Sequence, residues 1–127
     1  MSRRRSSATD PGAGLVAALA ERDFPRLAGA LAPDVRMRAL ITPGLVEISG
    51  ADAAAAKFSG WFGEAEELEI VSSDSDRVAD RLHVSYRLRV KRPADGWKVV
   101  EQHLFCALDD GRITDLDLLC TGFRPEC

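Results

Sequence analysis

Residues 97–123, WKVVEQHLFCALDDGRITDLDLLCTGF, predict two antiparallel β-strands joined by a tight turn, DDG, at residues 109–111. A three-residue loop that ends in glycine fits a type I turn closed by a left-handed residue. With this turn, Leu108 lies opposite Arg112, and every later pair of the hairpin follows from that one.

Side-chain alternation divides this hairpin into an apolar face and a mixed face. The predicted register places His103 opposite Asp117 on the mixed face, so that an imidazole lies beside a carboxylate. The apolar face must be covered by other elements. Its members are Val100, Gln102, Leu104, Cys106, Thr114, Leu116, Leu118 and Cys120. The members of the mixed face are Glu101, His103, Phe105, Asp115, Asp117 and Leu119.

Length and composition predict one globular domain over residues 11–127, preceded by a flexible basic tail over residues 1–10. The chain has 127 residues, 46% of them hydrophobic and 29% charged, with a net charge of -3. This charge favours no nucleic-acid partner, and no apolar run reaches the roughly 20 residues that span a bilayer. Three cysteines without framework spacing predict reduced thiols, and hence a cytoplasmic protein.

Capping residues and turns delimit the other elements. A helix begins near Pro11, and Asp23 caps a second helix that Pro33 ends. Ser49 and Asp52 resemble a capping box for a third helix, which glycines at 60 and 63 end. The predicted strands cover residues 35–41, 45–48, 68–72, 81–90, 97–108 and 112–121, with a turn at Thr42-Pro43-Gly44.

This order of elements predicts an α+β fold. A strongly curved antiparallel sheet wrapped around three N-terminal helices buries one sheet face in so small a chain. Such a cone leaves a blind pocket between the helices and the concave face, where small ligands bind in many proteins.

Two segments resemble the nuclear-transport-factor-2-like superfamily, and more narrowly its SnoaL-like, polyketide cyclase-like branch. They are ALAERDFPRLAGALAPDVRMRAL at residues 18–40 and LDDGRITDLDLL at residues 108–119. The resemblance spans about residues 13–123. It implies the cone-shaped fold described above, and a convex sheet face that packs against a second subunit in a homodimer.

The resemblance leaves the activity open, because the superfamily includes isomerases, cyclases, hydrolases, dehydratases and transport factors. Its catalytic members place carboxylates in the cone, at positions that correspond here to Ala39, Leu104 and Leu118. All three positions are apolar in this chain. This departure disfavours steroid isomerisation and the usual cyclase mechanism.

His103 is the sharpest candidate for chemistry, with Asp117 as its carboxylate partner. A histidine held by a carboxylate in one tautomer can act as a general base. The alternative is a polar network of His103, Glu101, Arg87 and Asp117 on the convex face, in which Arg87 pairs with Glu101. No metal-ligand spacing and no phosphate-binding glycine loop is present, so neither a metal nor another cofactor is predicted.

The inward parity of the strands predicts the lining of a ligand site. Tyr86 and Gln102 are cross-strand neighbours that could orient a ligand carbonyl or hydroxyl, or could satisfy buried backbone groups. The predicted lining is Met37, Tyr86, Gln102, Leu104, Leu116, Leu118 and Cys120, with Trp61 near the mouth.

The leading hypothesis for function is a domain that binds a small apolar or aromatic molecule without the usual carboxylate chemistry. The first alternative is an enzyme, an isomerase, cyclase or hydrolase acting on a polycyclic or terpenoid-like substrate. The second alternative is a purely structural dimerisation module.

Overall fold

The computed structural model describes residues 11–41, 44–94 and 96–125, which form three helices and seven strands. The predicted tail and two residues of the predicted turn, Thr42 and Pro43, lie outside the described residues. The helices are α1 (Pro11–Ala20), α2 (Phe24–Gly29) and α3 (Ala51–Phe62). The strands are β1 (Leu31–Leu40), β2 (Leu45–Ser49), β3 (Glu67–Val78), β4 (Arg81–Arg92), β5 (Gly96–Asp109), β6 (Arg112–Cys120) and β7 (Arg124–Pro125).

All seven strands join one curved, open sheet against which the helices pack, which confirms the predicted α+β fold. The strand order is β2-β1-β6-β5-β4-β3, and β7 pairs with β5 where β6 has ended. The pairing of β1 with β6 is parallel, whereas the other pairings are antiparallel. We call the side of the sheet that faces the helices the inner face, and the opposite side the outer face.

The two predicted helix caps had different outcomes. Asp23 caps α2 as predicted, because its side chain accepts a hydrogen bond of 3.2 Å from the backbone N–H of Arg26. The predicted capping box of α3 is wrong. Gly50 occupies the N-cap position of α3 without a side-chain bond, because Ser49 is the last residue of β2 and pairs with Arg36.

Strand β1 begins earlier than the sequence suggested and includes Pro33. Leu31 already pairs with Ile113, and the ladder resumes at Arg36 after an irregularity. Proline has no backbone N–H to donate to a neighbouring strand, and Pro33 lies in the interruption, where the ladder does not require that hydrogen bond. Helix α2 therefore ends at Gly29 rather than at the proline.

Strand β4 shows why the core lies between sheet and helices. Its alternate residues are at most 4% exposed, as the sequence predicted: Leu82, Val84, Tyr86, Leu88 and Val90. They pack with the buried side chains of α1 and α3, among them Leu15, Leu19, Phe58 and Phe62. No helix among the described residues has the length and apolarity needed to cross a membrane.

The register of the β5–β6 hairpin differs from the prediction in two places. Asp109 pairs with Arg112, so the loop has two residues, Asp110 and Gly111, with φ angles of 55° and 79°. Two positive φ angles are typical of a type I′ turn, which matches the twist of a hairpin better than the predicted loop. A bulge on β6, where Thr114 lies between the paired residues Ile113 and Asp115, then shifts the ladder by a further residue.

His103 therefore pairs with Leu119, and the predicted pairing of His103 with Asp117 is wrong. The two shifts add up to two residues, and because side chains alternate with a period of two, the faces are preserved. Near the turn the prediction fails, since Ile113 is buried in place of Thr114.

Candidate functional site

The inner face carries most of the side chains that the sequence predicted for a ligand site. Six of them are at most 2% exposed, and all of these except Gln102 belong to one apolar cluster: Met37, Tyr86, Gln102, Leu104, Leu116 and Leu118. Cys120 and Trp61 are partly exposed and border that cluster. The structure thus brings the predicted set to one side of the sheet.

A chain of hydrogen bonds crosses this apolar wall. The Tyr86 hydroxyl donates to Gln102 Oε1 at 2.5 Å, and Gln102 Nε2 donates to Cys120 Sγ at 3.3 Å. The register explains the chain, because Tyr86 is paired with Gln102 and Gln102 with Cys120. The sequence predicted the first link and missed the second, which depends on the shifted register. We call this set the Tyr86–Gln102–Cys120 relay.

The relay can orient a ligand but holds no general base. Burial, followed by the nearby cysteines, raises the pKa of the Tyr86 hydroxyl well above its ordinary value. Tyr86 therefore stays protonated near neutral pH and acts as a hydrogen-bond donor. Burial likewise raises the pKa of Cys106 to about 12, so this thiol behaves as a small hydrophobic side chain.

The inner face has no carboxylate where the resemblance implies one. Ala39, Leu104 and Leu118 lie side by side, since Leu118 of β6 pairs with Ala39 of β1 and with Leu104 of β5. Each is at most 2% exposed. Among the described residues, Gln102 is the one polar side chain classed as buried. Acid–base chemistry on this face therefore has no ionisable partner at these positions.

His103 lies on the outer face in a polar network that differs from the predicted one. Its Nε2 is 2.7 Å from Glu101 Oε2, and its Nδ1 is 3.0 Å from Nε2 of His83. Arg87 Nε donates to Glu101 Oε1 at 2.9 Å, which confirms that predicted pair. Asp117 is bound instead to Arg38, at 3.0 Å. The sequence missed His83 as a partner, although cross-strand pairing of His83 with Phe105 places it beside His103.

Aromatic side chains gather at one end of the inner face. Trp61 packs edge-on against Phe58 and Phe62, with ring centroids 5.3 and 6.2 Å away. Phe123, which follows β6, packs against Phe62 at 5.8 Å. Lys57 lies over the Trp61 ring at 5.7 Å. Cys120 is close along the chain, so the relay leads toward this aromatic end.

The sequence profile of the SnoaL-like domain family matches residues 13–116, most of the chain. The chain belongs to the SnoaL-like family. No curated protein matches it significantly.

Solved structures share the fold of this SnoaL-like domain at low sequence identity. A proposed isomerase from Bacillus subtilis has a TM-score of 0.76 and 13% identity, over 94% of this chain and 90% of that one. A proposed polyketide cyclase from Xanthomonas campestris pv. campestris has a TM-score of 0.72 and 19% identity, over 92% of each chain. A second proposed polyketide cyclase, from Pseudomonas putida, has a TM-score of 0.69 and 20% identity, over 87% of this chain and 89% of that one. At these identities the similarity establishes the fold alone.

An apolar groove of about 340 Å³ lies on the outer face of the SnoaL-like domain. Its exposed members are Leu40, Leu45, Phe105 and Leu119, which are 36–57% exposed. Arg38 and Asp117, joined by their salt bridge, also line it. Leucine and phenylalanine side chains contiguous on a sheet are typical of a protein contact surface.

The described part of the chain contains no cluster of three or more His, Cys, Asp or Glu residues that could hold a metal ion. The pair His83 and His103 is joined by its own hydrogen bond, and the carboxylate of Glu101 is bound to His103 and Arg87.

The outer-face network gives a pH-dependent contribution to stability. Hydrogen bonds from His103 and then Arg87 lower the pKa of Glu101 below its ordinary value. A lowered carboxyl pKa stabilises the fold above the unfolded-state pKa, about 4.3 for glutamate, and the contribution disappears as the pH falls through the folded-state value.

We expect Glu101→Gln to be less stable than the wild type near pH 7, by about 1 kcal/mol or less because the site is partly solvated. The difference should shrink as the pH falls through the lowered folded-state pKa of Glu101, below which the carboxylate is protonated in both states. Urea denaturation at several pH values measures the difference. Glu64→Gln, at an exposed position of the α3–β3 connection, is the matched control and should follow the wild type throughout. An equal deficit for Glu101→Gln at all of these pH values would contradict the network.

Proposed function

We propose that this SnoaL-like domain binds a small apolar or aromatic molecule on its inner face, with the Tyr86–Gln102–Cys120 relay as its polar contact. The observation that carries the proposal is Gln102, which is 0% exposed in an otherwise apolar wall. A buried amide is costly unless it is hydrogen-bonded. Apolar walls with a few convergent polar groups are the usual composition of small-molecule sites.

The hydrogen-bonding capacity of the relay supports this proposal. The amide of Gln102 can donate twice and accept twice, and in the relay each end makes one side-chain bond. A ligand carbonyl or hydroxyl can therefore join the relay without breaking it. Because the inner-face side chains pack against one another, a ligand must displace some of them, most readily at the partly exposed Trp61 and Cys120.

Catalysis is the second candidate function, and the pair Glu101–His103 favours it. A histidine at 2.7 Å from a carboxylate has the arrangement of a general base. This pair lies on the outer face, apart from the relay. A reaction that used it would therefore place the substrate on the opposite side of the sheet from the pocket proposed above.

We also propose that the domain is a homodimer that pairs through the outer face. Its groove exposes apolar side chains among charged ones, such as Leu119 at 48% exposed beside Asp117. A two-fold axis through this groove would bury those side chains and retain charged groups at the rim. If the domain dimerised and bound no ligand, the alternative of a structural dimerisation module would be correct.

The cysteines support a reducing compartment, and we propose the cytoplasm. Cys106 and Cys120 are both free thiols, and neither is paired with the other across the β5–β6 ladder. Reduced cysteines are typical of cytoplasmic proteins.

The test of the ligand-binding proposal uses an uncharged fluorescent probe, N-phenyl-1-naphthylamine. We expect the emission of the probe to increase when it binds the wild type. The affinity of His103→Ala should be within about twofold of the wild type, because a substitution on the other face of the sheet usually changes a free energy by no more than about 0.5 kcal/mol. A titration followed by fluorescence measures both dissociation constants.

Two outcomes would contradict this assignment. A folded protein that does not bind the probe would remove the ligand-binding proposal. If His103→Ala stayed folded and dimeric but lost a measurable turnover, the enzymatic alternative would replace it.

A further inference from the structure

We propose that Arg92 and Lys98 form an anion-binding subsite at the aromatic end of the inner face, so that the ligand is an apolar or aromatic molecule with one anionic group, a carboxylate or a sulfonate. This inference rests on the proposed function and names the ligand class of the same site.

Arg92 lies on the inner side of the sheet. Its guanidinium is 4.4 Å from the centroid of the Phe123 ring, and Phe123 packs against Phe62, which is 0% exposed. Opposite Arg92 in the ladder is Gly96, which has no side chain to fill the space beside it. Stacking on Phe123 holds the guanidinium in place while its N–H donors remain available at its edge.

Lys98 lies on the same face as Arg92. It is paired with Val90, which is 0% exposed, and directly paired residues share a face of the sheet. Arg92 is the next residue of that parity on β4, so the two residues are diagonal neighbours, with Cα atoms about 7–8 Å apart. Both are partly buried rather than fully solvated.

Neither cation has a carboxylate partner among the residues that the structure describes. The carboxylates of Asp117 and Glu101 pair with Arg38 and Arg87. The nearby Glu66 and Glu67 each lie 3.9 Å from the ammonium group of Lys91. Two like charges on adjacent strands repel each other in the absence of a counterion. An anion between them would remove this repulsion and would gain charge-assisted hydrogen bonds.

The position of the subsite relative to the relay defines the shape of the ligand. Lys98 and Gln102 are separated by four residues of β5 on one face, which corresponds to about 13 Å along the strand. The apolar surface between them includes Val100, which is 0% exposed. A ligand that reaches both ends therefore has an anionic group at the open end, an apolar or aromatic body, and a polar atom near Gln102.

The test compares two probes that differ only in an anionic group: 8-anilinonaphthalene-1-sulfonate and the uncharged N-phenyl-1-naphthylamine. We expect the dissociation constant of the wild type to be lower for the sulfonate than for the uncharged probe by a factor of about ten or more. A hydrogen bond to a charged group contributes this much free energy of binding. The double variant Arg92→Gln/Lys98→Gln should lose that advantage and bind the uncharged probe within about twofold of the wild type. Near-ultraviolet circular dichroism checks that each variant is folded.

Arg77→Gln is the matched control, because it removes one positive charge at the opposite end of the same sheet, where Arg77 pairs with Leu82. It should leave both affinities unchanged. Equal affinities of the wild type for the two probes, or equal losses for both probes in the double variant, would overturn the anion subsite while the proposed function stands. A folded protein that binds neither probe would overturn both. Binding of the sulfonate alone, dependent on Arg92, would support the subsite and refute the apolar pocket.

Discussion

Leu118→Arg is expected to abolish both the cooperative fold and the binding of N-phenyl-1-naphthylamine. Leu118 is 2% exposed and lies between Ala39 and Leu104 on the inner face. A guanidinium there would be buried without a partner, at a penalty of several kcal/mol. Because a domain of this size is stable by about 5–15 kcal/mol, this single charge removes most of the stability. Denaturation followed by near-ultraviolet circular dichroism measures the loss.

The neighbouring residue provides a control for this prediction. Leu119 is on the same strand but on the outer face, and it is 48% exposed. Leu119→Arg introduces the same side chain and should retain a cooperative unfolding transition. If Leu118→Arg were folded and still bound the probe, the assignment of β6 to inner and outer faces would be wrong.

Leu119→Arg is also expected to convert the proposed dimer into a folded monomer. The side chain lies in the outer-face groove, where it lines the same surface as Phe105 and Leu40. A two-fold interface would place two copies of the new charge close together and would leave them desolvated. We expect the dimer dissociation constant to rise by about 30-fold or more, as at interface hot spots. Light scattering at micromolar concentration measures the mass.

Val78→Arg is the matched control for the dimer. Val78 is 52% exposed and lies outside the groove on β3, the edge strand opposite β2. It should leave the oligomeric state unchanged. A wild-type protein that is monomeric at micromolar concentration would refute the homodimer, as would a dimer that Leu119→Arg does not weaken.

Several features were predictable because they depend on local chemistry. Alternation along β4 and β5 assigned Tyr86 and Gln102 to the buried face and Glu101 and His103 to the other, because side-chain direction has a period of two. The N-cap at Asp23 depends on a hydrogen bond within one turn of the chain. The order of helices and strands, together with the two quoted segments, was sufficient for the family and the fold.

The contacts that define chemistry depended on the tertiary structure. The two-residue turn at Asp110 and the bulge at Thr114 shift the β5–β6 ladder, and neither is visible in the alternation because a shift of two residues preserves both faces. This shift separates His103 from Asp117 and brings Cys120 to Gln102.

By itself, the sequence determined which side chains of β4 and β5 are buried, because burial there follows from local alternation, and it determined that the inner face lacks carboxylates at Ala39, Leu104 and Leu118. Only the tertiary structure decided which side chains meet: His83 with His103 across β4 and β5, and Arg92 with Phe123 at the aromatic end. The physical reason is that such contacts depend on the register and on the path of the chain after each strand, and both are set by packing between segments distant in sequence.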